Sequence, residues 1–102
     1  MLTLPIKKGW YDLIAGGVKK EEYREIKPYY RTRFRNLFGA MWESGEATEA
    51  RVIFRNGYST DAPQLMALCS LRVGEGREEW GAVPGKRYYI LEIKEILDVA
   101  KG

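Results

Sequence analysis

Residues 16–30 read GGVKKEEYREIKPYY, and the way this run divides decides the fold. The pair Gly16-Gly17 stops whatever helix precedes it, because glycine adopts the left-handed conformation of a helix C-terminus at little cost. Pro28 suits the first turn of a new helix, where the N–H it lacks has no intrahelical partner anyway. Between these two punctuation points, Lys19–Ile26 reads as a strongly charged strand. Helix, strand and helix therefore follow one another with almost no connecting chain.

Outward from this run the pattern continues. Lys7 to Ala15 places Trp10, Leu13 and Ile14 at helical spacing, with Asp12 on the other side. Leu2–Pro5 is a short apolar strand entering the core. After Pro28, Tyr30, Phe34 and Leu37 share one helix face, and Arg31, Arg33 and Arg35 project from the rest. Residues 39–50 hold glycine, small residues and three glutamates and read as a loop. Arg51–Arg55 is a strand with the turn signal Asn56-Gly57 behind it. Gln64–Val73 is a longer apolar strand, Gly74–Gly85 a glycine-rich surface loop, and Arg87–Ile96 the last strand. No repeat or linker interrupts residues 1–102, which predict a single domain. Two or three short helices on a small, mostly antiparallel sheet or barrel give an α+β fold.

Composition narrows the chemistry. The 102 residues include one cysteine and no histidine. The usual general base at neutral pH is therefore missing, as is the commonest zinc ligand, so no structural metal is expected. Cys69 has no internal partner for a disulfide, and it sits in an apolar strand as a core residue rather than a nucleophile. No apolar run approaches the ~20 residues that span a bilayer, and the N-terminus lacks a signal-peptide core, so the expectation is a cytoplasmic protein without a membrane partner. The glycines of residues 74–85 lack the lysine-serine or lysine-threonine of a phosphate-cradling loop, and no cofactor is expected. Net charge is +3, unevenly spread: residues 1–36 carry nine Lys or Arg against four acids, and residues 37–102 carry eight against ten. The first third is thus the face that attracts polyanions.

Candidate site residues lie mostly in that third. In an extended Lys19–Ile26, Glu22, Arg24 and Ile26 share one side, while Glu21, Tyr23 and Glu25 share the other. With Ile26 on the core side, Glu22 and Arg24 point toward the interior or a cleft. An inward charge is costly unless paired, and Glu22 has Arg24 and Lys19 within reach. The competing reading is a solvated edge strand whose charges discourage aggregation. Lys27–Arg35 (KPYYRTRFR) interleaves cations with Tyr29, Tyr30 and Phe34; cations neutralise phosphates and an exposed ring such as Tyr29 stacks on an unpaired base. Arg55-Asn56-Gly57-Tyr58 sets a cation and a ring around a tight turn. Trp42 and Trp80 are candidates to cover a cleft or the core.

The run GGVKK–EEYR, the later Gly57-Tyr58 and the C-terminal GKRYYILEI together resemble the ASCH domain of the PUA-like superfamily. The likeness is to the short single-domain members common in phages and bacteria. It extends over nearly the whole chain and is most specific in residues 16–30. The resemblance implies a small β-barrel with a cleft beside the Gly-Lys-Glu-Arg segment, proposed in the family to bind RNA or a nucleotide-like ligand. One branch of the family removes the acetyl group of N4-acetylcytidine with a lysine, a threonine and a glutamate, and another has been described as a ribonuclease. By position Lys19 matches the motif lysine and Arg24 the motif arginine. Glu22 stands where the deacetylating branch has its threonine, so the hydroxyl nucleophile is missing.

Three functions follow as expectations. In the first, the chain binds RNA, with Lys19, Lys20, Arg24, Arg31 and Arg55 on phosphates and Tyr29 or Tyr58 stacking a base. In the second, it is a hydrolase of RNA or a modified nucleoside, with Lys19 stabilising negative charge and Glu22 as general base. In the third, it is a protein-interaction module that uses the segment around Met41 and Trp42.

Overall fold

In the computed structural model, residues 1–39 and 48–100 are described. Strand β1 (Leu2–Ile6) is followed by helix α1 (Lys8–Ala15), strand β2 (Glu21–Glu25) and helix α2 (Pro28–Phe38). Strands β3 (Glu49–Asn56), β4 (Gln64–Glu75) and β5 (Arg87–Ala100) complete the fold, with a 3₁₀ turn at Glu78–Trp80 before β5. The helix–strand–helix division of residues 16–30 is therefore the one that forms.

The strands make one open sheet in the order β1-β3-β4-β5-β2. Only β1–β3 is parallel; the other three pairings are antiparallel. β5 gains one residue on β4 at Lys94 and another at Leu97, two bulges that break the ladder of its second half. β1 and β2 occupy opposite edges, yet the Arg24 guanidinium of β2 reaches the Pro5 carbonyl of β1 at 2.9 Å. The sheet therefore curls until its edges face each other across a seam, which a side chain bridges rather than a ladder.

Helices α1 and α2 cover the concave face. Tyr11 and Ile14 from α1 and Phe34 and Phe38 from α2 are buried against Leu4, Ile6, Val52, Phe54, Leu65, Ala67, Cys69, Tyr89 and Leu91. Phe34 lies between Tyr30 and Tyr89, with ring centroids at 5.8 and 5.2 Å. The Tyr30, Phe34, Leu37 face read from the sequence is the one that packs. A second cluster of Ala82, Tyr88 and Ile90 with Tyr23 occupies the other face of β5. Tyr88 to Leu91 are consequently four buried residues in succession, because both faces of β5 are covered there.

Three local expectations change. Ile26 is 49% exposed: β2 ends at Glu25 and the chain bends into α2, so Ile26 does not anchor the inward side. Residues 74–85 are more than a surface loop, since β4 runs to Glu75, the 3₁₀ turn follows and Ala82 is buried. Of residues 39–50, Glu49 and Ala50 already belong to β3, and the Met41–Trp42 contact surface lies outside the described residues. On the outer side of the sheet, Glu21 and Glu92 stand directly opposite each other. Arg72 bonds both at 2.9 Å, which offsets their repulsion.

Phe34 is fully buried among aromatic neighbours. Phe34→Ala is expected to cost about 3–5 kcal/mol of unfolding free energy, measured by urea denaturation. A loss below about 1 kcal/mol would show that this ring is not where the core closes.

Candidate functional site: a buried ion cluster at the sheet seam

The turn after α1 aims Lys19. Gly17 takes a positive φ of 78°, and the N–H groups of Val18 and Lys19 both donate to the Leu13 carbonyl at 2.9 and 3.0 Å. The chain is thereby folded back on the helix end, and the Lys19 side chain lies over Trp10, with Nζ 4.3 Å from the ring centroid. It is 2% exposed. Its ammonium donates to the Trp80 carbonyl at 2.7 Å and meets Glu22 Oε1 at 3.0 Å.

Glu22 completes the cluster. It is 7% exposed and faces the core side of β2 opposite Leu91. Its second oxygen accepts a bond from Arg24 Nη2 at 2.9 Å. Arg24 also donates to the Tyr30 hydroxyl of α2 at 3.2 Å and to Pro5 of β1, while its Nε–H is buried without a partner. Glu22 and Arg24 do point inward, as side-chain alternation requires, although β2 is also an edge strand. Burial pulls the Lys19 ammonium below its ordinary value of 10.5, and the Glu22 carboxylate opposes that shift.

This cluster forms the wall of a cavity of about 440 Å³ at the seam. Trp10, Tyr23, Tyr58, Trp80 and Tyr88 supply aromatic surface, and Lys7 and Lys8 stand at its rim. The segment carrying Trp80 is held close by two glycines. A Cβ on Gly76 would fall 2.5 Å from the Tyr23 ring, and one on Gly81, at a φ of 99°, would fall 3.0 Å from Trp10. The Tyr23 hydroxyl also accepts the Arg77 N–H at 2.9 Å, and burial raises its pKa.

The structure brings together some of the expected residues and separates others. Lys19, Glu22, Arg24 and Tyr58 line the cavity. Lys20 is exposed and not part of its wall. Arg55 is bonded to Gln64 at 3.3 Å outside the cavity. Arg31 lies exposed on α2 away from it, and Tyr29 lines an adjoining recess. Lys19 and Arg24 are spent on Glu22 and backbone carbonyls, so they present a polar wall rather than free phosphate ligands. Of the two tryptophans read as covering a cleft or the core, Trp80 lines the cavity and Trp42 lies outside the described residues. Trp10, which helical spacing assigned to the core, and Lys7, Lys8 and Tyr88 were not anticipated at the site. Trp10 reaches the cavity with the Lys19 ammonium over its ring and the Gly81 backbone against it.

Cys69 is fully buried, and burial pushes its thiol up to about 12. No group of three or more His, Cys, Asp or Glu among the described residues is placed to hold a metal ion. No helix among them is long and apolar enough to cross a membrane. Comparison of the chain with protein-family models, curated proteins and solved structures finds no match.

Removing one partner from a buried ion cluster leaves the others uncompensated. Glu22→Gln is expected to cost about 3–5 kcal/mol in chemical denaturation. Glu25→Gln, on the exposed side of the same strand, should stay within about 0.5 kcal/mol. Equal effects would show that Glu22 is not held between Lys19 and Arg24. Because the native chain holds the Lys19 proton less tightly than the unfolded chain, wild-type stability relative to Lys19→Met should rise with pH up to 10.5 and level off above it. A difference that is flat or falls over that window would contradict a depressed Lys19.

Proposed function

We propose that the chain is an RNA-binding domain of ASCH type, in the PUA-like class of small barrels, that seats one unpaired nucleotide in the seam cavity. The observation that carries this reading is the pairing of aromatic walls with a buried, hydrogen-bonding ion cluster in one cavity of ligand size. A cavity of about 440 Å³ lies within the roughly 300–1,000 Å³ range of small-ligand pockets. Tyr58 and Trp80 offer ring surface on which a base stacks. Glu22 accepts from an exocyclic amino group, and the Lys19 ammonium donates to a base carbonyl. Lys7 and Lys8 at the rim take the phosphates, which supply affinity but no sequence information.

A hydrolase is the second reading, favoured by one specific observation: a lysine with lowered pKa sits 3.0 Å from a carboxylate inside the cavity. In it, the Glu22 carboxylate takes a proton from an attacking water and Lys19 stabilises the oxyanion that develops on an amide or phosphodiester. Glu22 in the place of the family's threonine makes water the nucleophile. Both Glu22 oxygens are already engaged by cations, which favours the binding reading.

One set of samples separates the two. End-labelled single-stranded RNA should bind with an affinity that falls steeply with salt and remain intact on a denaturing gel. Tyr58 is 88% exposed, so Tyr58→Ala leaves the fold in place and should weaken binding by about 1–3 kcal/mol. Shortened RNA that disappears in Glu22→Gln would instead establish the hydrolase. Binding that is absent at low salt, or unchanged in Tyr58→Ala and Lys7→Ala, would refute the RNA site.

A further inference from the structure

Beside the main cavity lies a second recess, of about 330 Å³, between the edge strand β1 and the first turns of α2. The two recesses share Pro5, Arg24 and Tyr58. Their charges differ. Glu22 contributes to the main cavity and Glu25 to a third recess nearby, whereas the second recess is lined by Arg24, Lys27 and Arg33 with no carboxylate. Arg24 is already neutralised by Glu22, which leaves Lys27 and Arg33, two cations with no acid between them, as a wall suited to an anion.

The recess also carries an aromatic platform. Tyr29 is 53% exposed, unusual for a ring so close to the core, and meets Tyr30 edge-on at 5.0 Å. The Arg33 guanidinium lies 3.4 Å from the Tyr29 ring centroid, and its Nη1 donates to the Tyr29 carbonyl at 3.0 Å. Platform and cation are thus held in place before any ligand arrives, which lowers the ordering cost of binding. A planar ring beside fixed cations is the arrangement that takes a base together with its backbone phosphate. Tyr58 lines both recesses and so links them.

We infer that this recess is a second nucleotide subsite, so that the ligand is a single-stranded RNA of two or more consecutive nucleotides and not a free nucleoside or mononucleotide. The inference rests on the reading of the main cavity as an RNA site and adds to it the class of ligand. One nucleotide occupies the main cavity. The chain passes Tyr58, and the neighbouring base stacks at Tyr29 with its phosphate on Lys27 and Arg33. An acidic peptide would satisfy the cations, but it has no use for the exposed ring or for the wall shared with an aromatic cavity.

The test compares the four ribonucleoside 5′-monophosphates with a labelled single-stranded tetraribonucleotide of randomised sequence, on the full chain, by fluorescence anisotropy and competition. The tetranucleotide should bind at least about tenfold more tightly than any monophosphate, the increment expected of one more stacked base. Tyr29→Ala and Arg33→Ala should each reduce tetranucleotide affinity about tenfold and monophosphate affinity far less. Lys27→Ala should lower the salt slope for the tetranucleotide by about one. Arg51→Ala, on β3 and in the wall of neither recess, should change nothing. Equal affinity for both probes, with Tyr29→Ala and Arg33→Ala without effect, would overturn the second subsite while leaving the main cavity standing. Failure of every probe to bind would refute the subsite together with the RNA reading. Displacement of the tetranucleotide by poly-aspartate as effectively as by unlabelled RNA would replace the nucleotide subsite with an acidic-peptide groove.

Discussion

A carboxylate held between an ammonium and a guanidinium, all three withdrawn from water, is the constraint on which the seam depends. Glu22 at this depth is tolerable only because Lys19 and Arg24 meet its two oxygens. Lys19 in turn is tolerable only because Glu22 and the Trp80 carbonyl accept hydrogen bonds from it and the Trp10 ring lies under it. Each member therefore dictates where another element must lie. Arg24 ties β2 to Pro5 of β1 and to Tyr30 of α2, Lys19 ties the end of α1 to the 3₁₀ turn, and Glu22 joins the two. Apolar residues of the same volume would fill this space without such demands, since buried ion pairs contribute little net stability. What the cluster supplies instead is a polar, pre-ordered wall in an opening between two strand edges.

The same arrangement explains the division of electrostatic labour on this face. The chain is most basic in its first third, yet the two cations most central to it are internally consumed. Charge available to an outside anion sits instead at the rim, on Lys7 and Lys8, and in the adjoining recess, on Lys27 and Arg33. A buried paired cation discriminates by hydrogen-bond geometry, whereas an exposed one attracts by charge and is screened by salt. The cavity thus presents hydrogen-bonding groups of fixed geometry, and its surroundings present the positive charge not consumed inside it.

Much of the fold was legible because its signals are local. Gly16-Gly17 and Pro28 punctuate the chain through backbone conformation, which needs no knowledge of partners. Tyr30, Phe34 and Leu37 announce a helix face through spacing, and Asn56-Gly57 marks the end of β3. Side-chain alternation put Glu22 and Arg24 on one side but left open whether that side is inward or a solvated edge. Burial of Glu22 decides for the former, although Ile26, the supposed anchor, lies beyond the strand in a bend. Trp10 was less legible. Its spacing with Leu13 and Ile14 is that of a core residue, and nothing in the run KGWYDLIA shows that a lysine nine residues on will fold back over it.

From the order of residues alone came an α+β fold, the helix–strand–helix run, the polarity of the first third and the placement of Glu22 and Arg24 on one side of β2. These follow from backbone preferences and from the cost of leaving an inward charge unpaired, both of which act over a few residues. The tertiary structure alone decided that Lys19 and Arg24 are bonded to Glu22 rather than offered to solvent. It also decided that Arg55 and Lys20 stand apart, and that Trp10, Trp80 and Tyr88 converge on the same opening. Those outcomes depend on the curl of the sheet, which brings β1 toward β2 although they are its two edges. Curl is a collective property of five strands and their packed helices, and no short stretch of sequence encodes it.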